Sequence, residues 1–209
     1  MLVNGGETMN RSDPQKTYRI VGGETMNRSD PKKTYRIVFV AMMAAIIYTV
    51  TLLRFPLLVT KVHFANAVCL LAGLLLGPVN GGLAAGLGSA IYDATLGGYD
   101  LIQCLITFAS KFLMACLCAK LAGRQDKQSA GRILLACIAG ALCYVALYML
   151  KTFVYQALVY GYPMDAVRAT VLLKLPGSLI NAAAAVIAAP IFYAALKPAL
   201  QKAGIREKL

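Results

Sequence analysis

The sequence predicts an all-α integral membrane protein: one bundle of six transmembrane helices with both termini on the cytoplasmic side. Three observations carry that expectation. Hydrophobic residues make up 59% of the 209 and charged residues only 14%, with a mean hydropathy of +0.65. A soluble domain carries about a quarter charged residues, so this chain has too few polar side chains to cover a water-facing surface, which excludes soluble, disordered and disulfide-rich secreted classes. Several apolar runs reach the ~18 residues that a membrane span needs. Finally, Lys and Arg gather on one side of those runs.

The first element in chain order is a repeat. Residues 5–21 read GGETMNRSDPQKTYRIV and residues 22–38 read GGETMNRSDPKKTYRIV, differing only at Gln15 and Lys32. Two units without a hydrophobic face cannot stack as a solenoid. The expectation is a duplication arising at a start site or in cloning, with the native start near Met26. Residues 1–25 then stand apart from a single transmembrane substrate-binding domain over 26–209. No apolar core of signal-peptide length lies in this segment.

Six helices follow. The first runs from Tyr35 to Leu53 and stops at Arg54-Phe55-Pro56; the second runs from Phe64 to Leu76 and ends at Gly77-Pro78. This second one is short for a span, which suggests a tilted or partly interfacial position. The third covers Val79 to Leu96, before Gly97-Gly98, and the fourth Leu101 to Ala122, before Gly123. The fifth, from Arg132 to Tyr160, is unusually long. The sixth, Ala166 to Leu196, stops before Pro198 and contains Pro176 and Pro190, where a kink or local break is expected.

Basic residues fix the orientation. With the N-terminus inside, Arg28, Lys32, Lys33, Arg36, Lys120, Arg124, Lys127, Arg132, Lys197, Lys202, Arg206 and Lys208 all fall on the cytoplasmic side, against Arg54, Lys61 and Arg168 outside. The formal charge of +12 is therefore topological and does not imply nucleic acid.

Three lysines remain within spans, where ionisable groups usually face a bundle interior or a water-filled cavity. Gln103, Thr107 and Lys111 share a face of the fourth helix; Tyr144, Tyr148, Lys151 and Tyr155 share one of the fifth; Lys174, Ser178 and Asn181 share one of the sixth. Ser89, Tyr92 and Asp93 lie near the end of the third, while His63 and Asn66 open the second. In the predicted topology all five stripes lie in the outer half of the bundle, and the inner halves are Leu, Ala, Ile and Cys. That is a one-sided cup, not a path through the membrane. Each piece has a plainer reading: lysines snorkel, tyrosines form interfacial belts, Asp93 can pair with a lysine as structural glue, and His63 can be an ordinary loop residue. The coincidence of five stripes at one depth favours a binding site. Cationic Lys, hydrogen-bonding Asn, Gln, Ser and Thr, and stacking tyrosines suit a small, flat, heteroaromatic molecule and admit an anionic one. The loop Arg54 to His63 could serve as its lid.

Two small-residue faces stand out. Ala41-xxx-Ala45 on the first helix lets another helix approach closely, and it is well placed for external docking because that helix offers nothing obvious to the cup. Gly82, Gly86 and Ala90 on the third could be either internal packing or a docking face. The six cysteines have no metal-site spacing and read as small hydrophobes; no metal or cofactor is expected. There is no phosphate-binding Gly-rich loop ending in Gly-Lys-Ser/Thr, so the chain does not hydrolyse ATP by that chemistry. An intramembrane enzyme would need a dyad or metal cluster, and Asp93 is the only embedded carboxylate. The alternatives are a solo secondary transporter, for which no paired internal repeat is visible, and a structural subunit, which would leave the stripes unexplained.

With six spans, a small-residue first helix and the run His63-Phe-Ala-Asn66 through Leu76-Gly77-Pro78-Val-Asn-Gly81-Gly82-Leu-Ala-Ala-Gly86, the chain resembles the substrate-binding S component of energy-coupling factor (ECF) vitamin transporters. Thr107-Phe-Ala-Ser-Lys111 and Leu175-Pro176-Gly-Ser-Leu-Ile-Asn181 add to the likeness, which covers about Lys33 to Leu196. The resemblance implies a multi-pass protein of the bacterial plasma membrane that binds a vitamin or precursor from outside with high affinity. It implies docking through Ala41 and Ala45 onto a transmembrane coupling protein driven by two ATPase subunits, followed by toppling and release inside. It implies pocket residues among Asn66, Asp93, Gln103, Lys111, Lys151, Tyr155, Lys174 and Asn181. The absence of tryptophan argues against the thiamine type, and the riboflavin/hydroxymethylpyrimidine branch looks most similar.

Overall fold

A computed structural model describes residues 19–21, 24–26, 31–53, 55–57, 60–62, 64–123 and 129–202. The first repeat copy up to residue 18, Arg54 and His63 of the expected lid, and much of the loop between the fourth and fifth helices lie outside the described residues. The backbone forms two short antiparallel hairpins, β1 (Arg19–Val21) with β2 (Glu24–Met26), and β3 (Phe55–Leu57) with β4 (Thr60–Val62). All else of regular structure is helical: α1 (Pro31–Leu52), α2 (Ala65–Leu76), α3 (Pro78–Tyr92), α4 (Leu101–Ala122), α5 (Ala130–Val154) and α6 (Met164–Lys202). Single π-helical turns, Asp93–Gly97 and Tyr155–Val159, prolong α3 and α5.

Local chemistry sets the boundaries. Gly77, at φ 80°, ends α2 in a conformation a side chain disfavours, and Pro78 at the first turn of α3 supplies a preset φ. Asp100 caps α4 and Ser129 caps α5, each accepting a backbone N–H three residues on. Arg132 closes the other end of α4 by donating Nε to the carbonyl of Leu121 at 2.9 Å.

Among the described residues, α1, α4, α5 with its π turn, and α6 are long and apolar enough to cross a membrane. Helix α2 is not: twelve residues rise only about 18 Å, against a hydrocarbon core of about 30 Å. Of the tilted and partly interfacial positions its length suggested, burial speaks against the second. Every residue from Ala65 to Leu76 is buried, because α2 is the central post, packed against α1, α3, α4 and α6. A helix hydrophobic all round has no face to present to water or headgroups. Around it, α1 packs on α3, α3 on α4, α4 on α5 and α5 on α6.

The post is held at close range. A Cβ added to Gly73 would stand 2.4 Å from the carbonyl oxygen of Ala115 on α4, and one on Gly88 of α3 would stand 2.4 Å from that of Ala44 on α1. The glycine stripe of α3 is thus internal packing, with Gly82 and Gly86 against the rings of Phe112 and Phe108. Ala41 and Ala45 of α1, by contrast, are exposed. Helix α6 runs through Pro176, Pro190 and on past Pro198, so there is no break at the first two, one of the two outcomes expected there, and the helix does not end before the third as expected. Apolar bundles tolerate such prolines because neighbours and local adjustments satisfy the freed carbonyls.

Candidate functional site

A cavity of about 360 Å³ opens at the end of the bundle where α1, α3 and α5 finish and α2, α4 and α6 begin. Its wall takes a contribution from every helix. Asn66 comes from the first turn of α2, Ser89 from the last turns of α3 and Asp93 from the π turn. Helix α4 supplies Thr107, Ser110 and Lys111; α5 supplies Tyr144, Tyr148 and Lys151; α6 supplies Lys174, Ser178 and Asn181. Each trio follows i, i+3, i+4 or i+7 spacing, so helical periodicity alone aims it inward.

Two lysines tie the wall together. Lys111, only 4% exposed, donates to Asn66 Oδ1 and lies 3.7 Å from the centroid of the Tyr144 ring. It therefore joins α4 to both α2 and α5. Lys151 reaches from α5 to α4, donating to Thr107 Oγ1 at 3.2 Å and to the carbonyl of Gln103 at 3.4 Å, with the Tyr99 ring 5.1 Å away. The bonds of Lys151 thus run to neutral oxygens and a ring face, which orient its ammonium. Tyr144 and Tyr148 stack one helical turn apart, with centroids 6.2 Å apart and an interplanar angle of 23°, giving one side of the cavity a flat aromatic surface.

The rim is built around Asp100. Its carboxylate accepts the Gln103 backbone N–H at 2.8 Å, Gln103 Nε2 at 2.9 Å and the Tyr155 hydroxyl at 3.2 Å. The Gln103 bonds, backbone first, hold the carboxyl below the usual carboxylate range. Gln103 and Tyr155 thus stand at the rim instead of in the wall. Tyr92 also lies outside the wall, its ring edge-on to Tyr48 of α1 at 5.9 Å. The other nine residues of the sequence-derived set, namely Asn66, Asp93, Thr107, Lys111, Tyr148, Lys151, Lys174, Ser178 and Asn181, line one cavity.

The wall also includes residues the sequence did not single out for the site: Thr51, Ala65, Tyr99, Ser110 and Gly177, with Ser89 and Tyr144 from the stripes. Thr51 corrects the view that α1 offers the cup nothing. Its hydroxyl bonds back to the Ile47 carbonyl at 2.6 Å, a habit that lets a threonine sit unnoticed in an apolar helix. Ser110 had a visible signal, its place beside Lys111. Among the described residues, no cluster of three or more His, Cys, Asp or Glu could hold a metal.

A polar, ring-lined cavity enclosed by apolar helices defines a membrane-embedded protein that binds a small molecule. Its family follows from comparison: a model of the ECF-type riboflavin transporter S component matches residues 32–198, and the chain belongs to that family. It is thus an S component, the substrate-binding part of a transporter, and the family is not one of enzymes. A solved structure described as the S component of a bacterial ECF transporter superposes with a TM-score of 0.64, covering 80% of this chain and 98% of that one. At 17% identity, that likeness speaks for the fold alone. No curated protein matches this chain by sequence.

Proposed function

We propose that this chain is the high-affinity binding subunit for uptake of a small vitamin or vitamin precursor, flat and heteroaromatic, across a bacterial plasma membrane. The observation that carries the proposal is the cavity at one end of the bundle, to which all six helices contribute polar groups. In this reading the six helices of a single domain over 26–209 occupy the membrane with both termini cytoplasmic. The bias of Lys and Arg toward the opposite end supports that orientation and an outward-facing cavity. The wall residues named above bind the ligand, and Gln103, Tyr155 and Tyr92 support the rim and the back of the wall. The riboflavin named in the family's description is the first ligand to test.

Transport in this reading needs an ATP-driven module, a transmembrane coupling protein with two ATPase subunits. The exposed Ala41 and Ala45 form the docking face on α1, where small side chains let a partner helix approach closely.

Native mass spectrometry of the protein purified from membranes tests the function directly. A co-purified small heteroaromatic molecule, lost on substitution of Lys111, is the expected result. Solute uptake by the chain alone in cells lacking the ATPases would overturn the dependence on a module.

A further inference from the structure

The cavity carries a surplus of positive charge. Its wall holds Lys111, Lys151 and Lys174 against one carboxylate, Asp93. Counting the rim as well adds Asp100, whose field reaches Lys151 along with those of Asp93 and Lys174. The surplus persists even then, three ammonium groups against two carboxylates. Asp100 is moreover engaged by Gln103 and Tyr155. The bonds of Lys151 run to a hydroxyl, a backbone carbonyl and a ring face, so its charge is oriented but not neutralised. Lysines gathered among apolar helices favour a partner that restores charge balance.

We propose that the ligand is an anion: a planar ring bearing a carboxylate or a phosphate monoester, its ring against Tyr144 and Tyr148 and its oxyanion between Lys151 and Lys174. The proposal rests on the binding reading above and sharpens its substrate class. Lys111, tied to Asn66 and Tyr144, shapes the wall. Lys151 and Lys174, both only half-buried, are the heads that meet the ligand. Asn181, two turns along α6 from Lys174, adds an amide to the same face, and Ser178, one turn along, donates its hydroxyl back to the Lys174 carbonyl at 3.0 Å.

The test uses the full chain in detergent micelles and three pairs of probes that differ in charge: nicotinamide and nicotinate, pyridoxine and its 5′-phosphate, riboflavin and its 5′-phosphate. Binding is read by calorimetry, with thermal unfolding as the check on folding. In at least one pair the anion should bind about tenfold tighter than its neutral partner, the scale of one charge-assisted hydrogen bond. That ratio should fall toward one in Lys151→Met and in Lys174→Gln, with unfolding temperatures close to the parent's. Tight binding of neutral members without preference would overturn the anionic ligand and leave the vitamin-binding reading standing. An anion preference untouched by both substitutions would also overturn it, since the charge would then be read elsewhere. Failure of all six probes to bind would count against both readings.

Discussion

Lys111 sits at mid-helix in α4, nearly sealed from solvent, with its ammonium on the Asn66 carbonyl and the Tyr144 ring. Removing it would do two things. It would leave Asn66 Oδ1 short of a donor, at about 1–3 kcal/mol for a buried polar group, and it would unlink the three helices that shape the cavity. Lys111→Ala should therefore weaken ligand binding by more than about tenfold, whereas Lys120→Ala, on the exposed last turn of the same helix, should leave it unchanged. Equal effects in a binding titration would contradict the placement. Asp100 yields a different prediction. Its carboxyl is held below the ordinary value of 3.8 by the Gln103 backbone N–H first of all, so the charged form is favoured in the folded state. The stabilisation is fully present above that ordinary value and fades as pH falls through the depressed one. The gap in unfolding temperature between the parent and Asp100→Ala should thus hold steady while the pH stays well above that ordinary value and narrow progressively as the pH falls below it. A gap unchanged in acid would sink the assignment.

At the scale of the element, α2 decides the fold. A post enclosed on all sides cannot be thickened, and Gly73 is where α4 comes closest. Gly73→Ala should cost about 1–3 kcal/mol through forced separation of α2 and α4, read as a lowered unfolding temperature. Gly131→Ala, in the first turn of α5 with open space around its Cβ, should be neutral or mildly stabilising. The comparison removes the general effect of glycine replacement, so similar losses at both sites would refute close packing at Gly73. The helices themselves were readable because lipid-facing and core-facing positions are both apolar, and only Gly, Pro and polar residues punctuate the runs. The bounds of α4 fell where Asp100 and Gly123 predict them. The fate of α2 was not readable, since shortness and apolarity describe a buried post and an interfacial segment equally well. The end of α6 was misplaced at Pro198 for a related reason: whether a neighbour satisfies a freed carbonyl is a tertiary fact.

The same distinction governs how far the site could be read. Ionisable and amide groups inside apolar runs are conspicuous, so periodicity assigned their faces. It could not assign their heights. Tyr155 shares a face with Tyr144 but stands eleven residues on, about 16 Å along the axis, which carries it past the wall to the rim. Gln103 is drawn aside by the cap at Asp100, and Tyr92, one position before Asp93, is turned about 100° away toward α1. Tyr99, outside any helix, had no period to betray it.

For the whole molecule, the proposed docking of a coupling protein on α1 can be tested apart from ligand binding. The inward edge of α1 is committed: Met43, Ala44 and Ile47 are buried, with Ala44 against Gly88, and its share of the cavity wall is Thr51 near its end. The outward edge carries Ala41 and Ala45, roughly 15 and 9 Å from Thr51 along the axis. Lipid would be served equally by larger side chains, so small ones matter only if another helix comes close there. Replacing both with tryptophan should therefore block docking while leaving the ligand's affinity within about twofold, because neither position touches the wall. The check is paired: calorimetry on the isolated chain, and co-purification of the chain with its coupling protein from membranes. Loss of the complex with binding retained is the expected result. If binding fails and the unfolding temperature holds, that edge of α1 serves the cavity and the division of labour between the two faces of α1 is wrong.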